Sequence, residues 1–188
     1  MQFDAGRIRE LVDEVARQVE LPTDVDIHIE VDEATPFGQT STTIHGRRVE
    51  IAVEGGAFED PKHLRHLSEG GTRLVLGRLL FRVLDRLDPR FGSPPPDPEL
   101  TLEQHATWDV YSVGRYARRA GVDGGQARRR YAFRLRHGFT DVADVAFERL
   151  WNGSGLTWAD LEAISEVTRP ARAPAGPSAQ GPRGGRER

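Results

Sequence analysis

"GGTRLVLGRLLFRVLDRLDP", residues 70–89, decides the architecture. Leu74, Val75, Leu76, Leu79, Leu80, Phe81, Val83, Leu84 and Leu87 cover most of a helix circumference, so the pattern predicts a central, buried helix. Arg78, Arg82 and Arg86 recur every four residues and share one face of it. The simplest reading makes them the single wet stripe of the helix, their stems covering apolar neighbours. Pro89 and "FGSPPPDP" end the helix and predict a stiff surface connection.

Upstream, Ile8, Leu11, Val12, Val15 and Val19 fall at helical spacing, predicting an amphipathic helix over 5–20 that stops before Pro22. "DVDIHIEVD" (24–32) alternates strictly, with Val25, Ile27, Ile29 and Val31 on one side, as a half-buried strand does. "TSTTIHGRRVEIAVEGG" (40–56) predicts two strands joined near "HGRR", with Val49, Ile51 and Val53 facing one way. "EDPKHLRHLSEGG" (59–71) predicts a further helix opened by acids and Pro61, with a break at Gly70–Gly71. Downstream, "TLEQHATWDVYSVGRYARRAG" carries a capping box, Thr101 with Gln104. Another helix should end at Gly138, and Thr140 and Thr157 each suit a helix N-terminus.

The expected fold is therefore α+β: an N-terminal helix, a small, mostly antiparallel sheet, a buried central helix and C-terminal helices. We expect one domain over 1–168, with a helix/sheet/central-helix part at 1–92 and a helical part at 100–168. Residues 169–188, rich in Pro, Gly and Arg, hold no aliphatic residue larger than alanine and predict disorder.

The chain has 188 residues, is 37% hydrophobic and contains no cysteine, which excludes disulfides, thiolate metal sites and cysteine nucleophiles. No apolar run approaches the ~18 residues of a membrane span, and the amphipathic, acidic start resembles neither a signal nor a transit peptide. A cytoplasmic protein without membrane contact is expected. The net charge of −3 hides blocks: −9 over residues 1–60, +7 over 61–137, −5 over 138–168 and +4 beyond. The acidic first block is expected to lie against the basic middle.

The order helix, small sheet, buried helix resembles the small zincin-type metallopeptidases over about residues 5–120. "FGQTSTTIHGRRVEIAV" is similar to the strand portion that precedes their H-E-L-G-H helix, and "LVLGR" takes the place of that motif. In the family, two histidines at i,i+4 hold zinc and the glutamate between them activates water. The resemblance places Leu74, Val75 and Arg78 at the first histidine, the glutamate and the second histidine, so all three chemical roles are missing. It implies a pseudoenzyme with no cofactor, in which Arg78 projects where the metal would sit and pairs with Asp109 of "TWDVY".

Other constellations are weaker. His63 and His66, at i,i+3 between Asp60 and Glu69, are candidate metal ligands together with the more distant His105; a solvated helix face is the plainer account. Arg128, Arg129, Arg130, Arg134 and Arg136, interleaved with aromatics, and Arg115, Arg118 and Arg119 before them, match a nucleic-acid element. At helical spacing, however, Ala127, Tyr131 and Leu135, with Ala132 or Phe139, would be core. Trp151 and Trp158 are either an exposed hot spot or helix-end packing. The preferred expectation is a non-catalytic protein- or peptide-binding scaffold, offering "RRVEIAVE" as a sheet edge. Nucleic-acid binding through 115–137, and a metal-dependent hydrolase with an unrecognised site, are the alternatives.

Overall fold

A computed structural model describes residues 3–168. The expectation for 169–188 lies outside the described residues. Helix α1 (Ala5–Gln18) starts where the Asp4 carboxylate accepts from the amides of Gly6 and Arg7, and it buries Ile8, Leu11, Val12 and Val15. Strands β1 (Asp26–Asp32), β2 (Thr40–His45) and β3 (Arg48–Glu54) follow. Gly46, at φ 63°, makes the turn between β2 and β3.

The sheet order is β1-β3-β2. β2 runs antiparallel to β3, pairing Thr42 with Ile51, whereas β1 runs parallel to β3, pairing Ile29 with Ile51. Strand β3 is therefore central and its two edges are both used. This corrects the expectation that "RRVEIAVE" is a free edge: β1 and β2 are the edges. The physical reason is visible in burial, since Val49, Ile51 and Val53 are fully buried while the apolar residues of β1 are half-buried.

Residues 59–68 are not a helix. Glu59–Asp60 (β4) and His63–Leu67 (β5) form a small antiparallel hairpin. The Asp60 carboxylate accepts from the Lys62 amide and the Glu59 carboxylate accepts from the Arg65 amide, so side chains here satisfy a turn instead of a helix start. The next helix, α2 (Glu69–Leu87), is capped by Ser68, whose hydroxyl accepts from the Gly71 amide. Gly70 and Gly71 thus lie in its first turn and break nothing. As expected, α2 is central and buried.

Helices α3 (Leu102–Ala120), α4 (Gln126–His137), α5 (Asp141–Asn152) and α6 (Trp158–Val167) complete the chain. The Thr101–Gln104 capping box forms, Gly138 ends α4, and Thr140 and Thr157 cap α5 and α6. Two apolar cores result. One joins α1, the sheet and α2; the other joins α3 to α6. They meet where α2 crosses α3: a Cβ on Gly77 would lie 2.2 Å from the Tyr116 ring, so only glycine permits this approach. Among the described residues no helix is long and apolar enough to cross a membrane.

One predicted face is corrected. In α4 the buried side chains are Phe133 and His137, while Tyr131 (57% exposed), Leu135 and Phe139 point outward. The aromatic spacing of "YAFRLRHGF" allows either face, and Phe133 wins by packing on Phe147 and stacking on His137 at 4.0 Å. The proline connection lies at the surface as expected over residues 92–99, anchored by Phe91, which is buried on the Trp108 ring and whose carbonyl accepts from the Trp158 amide at 2.7 Å.

Candidate functional site: an ionic ladder between α2 and α3

The three arginines of α2 are not a wet stripe. Their side chains are 16%, 4% and 14% exposed for Arg78, Arg82 and Arg86, because α3 and the proline connection close over them. The i,i+4 spacing on α2 meets the spacing of Trp108, Asp109 and Arg115 on α3, which puts opposite charges face to face. Arg78 donates from Nη1 to Asp109 Oδ1 at 2.9 Å and from Nη2 to Thr40 Oγ1 of β2 at 2.7 Å. Arg82 donates to the same Asp109 oxygen at 3.4 Å and to Asp97 Oδ1 at 2.7 Å. Arg86 donates to Asp97 at 2.8 Å and to the Pro95 carbonyl at 2.9 Å.

Trp108 is the organising ring. Arg82 and Arg86 sit over it at 4.2 and 4.4 Å, and its indole N–H donates to Asp85 Oδ2 at 2.8 Å. Asp85 in turn takes both terminal nitrogens of Arg115, at 2.8 and 2.6 Å, in a bidentate pair. Arg115 also lies 4.0 Å over the Tyr111 ring.

The titration behaviour follows from burial against pairing. Burial pushes Asp109 up, but Arg78 and then Arg82 outweigh it and hold the carboxyl below its usual range. Burial pushes the Asp85 carboxyl up, against the pull of Arg115 and Trp108. Burial lowers Arg82 against Asp109 and Asp97; a guanidinium stays protonated regardless. Arg82 Nε and Arg115 Nε are buried without a hydrogen-bond partner. Such a network locks geometry while giving little net stability, since desolvation offsets its Coulomb gain.

The structure brings Arg78 and Asp109 together, as the resemblance implies. Leu74 and Val75, which the resemblance aligns with the other two motif positions, are half-buried and pack against the N-terminal core. Asp85, Asp97, Trp108 and Arg115 complete the ladder and escaped sequence reasoning as a set. Asp85 was legible in principle, seven residues after Arg78 and so on the same face of α2. Asp97 carried no periodic signal.

The histidines do not converge. His63 and His66 are exposed on β5, their ring centroids 6.3 Å apart, and His63 faces Asp60 at 3.1 Å. His105 contacts the Asp97 carbonyl through Nε2 at 3.0 Å. Among the described residues no group of three or more His, Asp or Glu is arranged to hold a metal ion.

Most of the arginines proposed for nucleic acid have intramolecular partners. Arg118 donates to the Gly153 carbonyl, Arg119 binds the Gln18 carbonyl and Glu20, and Arg129 donates to the Gly124 carbonyl. Arg130 pairs with Glu148 and Arg134 with Asp144. Arg128 and Arg136 are exposed. The acidic first block does meet the basic middle at Arg73–Glu14 and Arg119–Glu20. Trp151 and Trp158 are buried, packed on Phe147 and Trp108 respectively.

Comparison with protein-family models, curated proteins and solved structures returns no match to this chain.

Proposed function

We propose that the chain is a non-catalytic, zincin-like module that binds another protein through an extended segment. The observation that carries the reading is the double engagement of Arg78 by Asp109 and Thr40. It ties the helix position where the resemblance expects a metal ligand to both α3 and the edge strand β2. A guanidinium held there neither ligates a cation nor moves a proton at neutral pH. What the arrangement offers instead is a rigid helical platform under a three-stranded sheet with two unpaired edges, the usual receptor for an added strand.

The test is a selection from a random displayed-peptide library on the intact protein, paired with mass-spectrometric reading of a mixed peptide pool incubated with it and zinc. A recurrent extended sequence that binds saturably, with the pool left intact, supports the reading. Specific cleavage of the pool, or the absence of any enriched peptide, overturns it.

A further inference from the structure

A broad concavity lies away from the ladder, between α1 and the open edge of β1. Its volume is about 1010 Å³. Ile8, Val12 and Ala16 of α1 form one wall, and Ile27, Ile29 and Val31 of β1 form the other. The β1 side chains are only half-buried, although their partners Val49, Ile51 and Val53 on β3 are fully covered.

The backbone is available on the same side. The Asp26 amide donates to the Arg47 carbonyl, so the main-chain groups of Asp26, His28 and Glu30 face β3. Alternation then turns the N–H and C=O groups of Ile27, Ile29 and Val31 toward the open edge. A strand laid there would put alternate side chains into the apolar groove.

The opposite face of β1 decides the partner. Asp26, Glu30 and Asp32 are exposed there beside His28, and the nearest strand adds Glu50 and Glu54 against Arg48, which pairs with Glu50 at 3.1 Å. Among the described residues no cation pairs with Asp26 or Glu30. Opposite charges on neighbouring strands stabilise a pair and like charges oppose it. A second copy of β1 would set this acidic row against itself. Residues 169–188 are basic but hold no Val, Leu, Ile, Met or aromatic side chain to fill the groove.

We infer that β1 and α1 form a docking site for an extended segment of another protein in which apolar residues alternate with Lys or Arg. This rests on the peptide-binding reading above and gives it a site and a partner chemistry. The apolar residues enter between α1 and β1, and the basic ones lie beside Glu30 and Asp26.

The experiment uses the full chain and two labelled eight-residue peptides, one alternating Val with Lys and one alternating Val with Glu, read by fluorescence anisotropy. The Val/Lys peptide should bind saturably and at least tenfold tighter than Val/Glu. Glu30→Lys, at an exposed position, should weaken it at least tenfold, and Ala16→Trp should do the same by filling the groove, with melting curves confirming both variants fold. Hydrogen exchange on the unaltered protein should show new protection at Ile27, Ile29 and Val31. Binding that ignores both variants overturns this site, as does no preference between the peptides. If library selection yields ligands that still bind Ala16→Trp, the binding-module reading stands and the β1 site falls; if neither probe nor library binds, both fall.

Discussion

Arg78 and Asp109 face each other across the α2–α3 crossing with 2.9 Å between Nη1 and Oδ1, and Arg82 shares the same carboxylate oxygen at 3.4 Å. The two partners are therefore unequal. Removing Arg78 leaves Asp109 with one cation, whereas removing Asp109 strips a partner from two. The Asp109 side chain is 32% exposed, so Asp109→Ala should fall short of the fully buried limit and cost about 2–3 kcal/mol. Arg78→Ala gives up the bonds to Asp109 and Thr40 but leaves Asp109 with Arg82, and should cost less, about 1–2 kcal/mol. Urea denaturation of both variants and the double variant measures the order; equal losses would contradict shared use of Asp109.

Gly77 predicts a second result. Gly77→Ala places a methyl group inside the Tyr116 ring, where α3 packs into the core of α1, the sheet and α2. Overpacking of this kind costs about 1–3 kcal/mol or more. Thermal unfolding should show the loss, and Gly77→Ala combined with Tyr116→Ala should lose less than the sum of the two single changes. Strict additivity would mean that the contact does not limit the helix approach.

The phase of α4 can be read by mutation. Phe133→Ala should cost about 3–5 kcal/mol as a buried aromatic truncation, while Leu135→Lys, at an exposed position, should stay within about 0.5 kcal/mol of the parent. The reverse order would restore the face expected from spacing.

What the sequence made legible was local. The caps at Thr101, Thr140 and Thr157, the alternation of β1 and the all-round apolarity of α2 each rest on chemistry within a few residues. Non-local effects were not legible. The insertion of β3 between β1 and β2 depends on a parallel pairing that no hairpin signal encodes. The His63–Leu67 strand reads as helix because acids and Pro61 suit a first turn as well as a β-turn. In α4, tertiary packing of Phe133 on Phe147 chose between two equally spaced faces. Of the ladder, the Arg78–Asp109 pair followed only from the resemblance, the residues alone favouring a wet stripe, and burial of Arg82 depends on Asp97 arriving from the proline connection.

His137 sets a pH dependence. Burial pushes its pKa down from 6.5 to about 4, against the pull of the Glu103 carbonyl. The ring meets the Thr168 hydroxyl at 2.6 Å and stays neutral when folded. The unfolded chain takes up the proton first, so this contribution is complete above pH 6.5 and is lost as pH falls toward 4. A pKa lowered from 6.5 to about 4 corresponds to about 3 kcal/mol. Urea midpoints across that window should fall, and His137→Gln should flatten the slope. An unchanged slope in the variant would assign the acid sensitivity elsewhere.

On the proposed reading, the α2–α3 ladder holds a guanidinium where the zinc helix it resembles would hold a metal. The most direct test of that reading is calorimetric titration of zinc into the metal-stripped protein, with a mixed peptide pool assayed in the same solution. The expected result is no stoichiometric tight site and an intact pool. One zinc held per chain, with peptide cleavage that follows its occupancy, would contradict it.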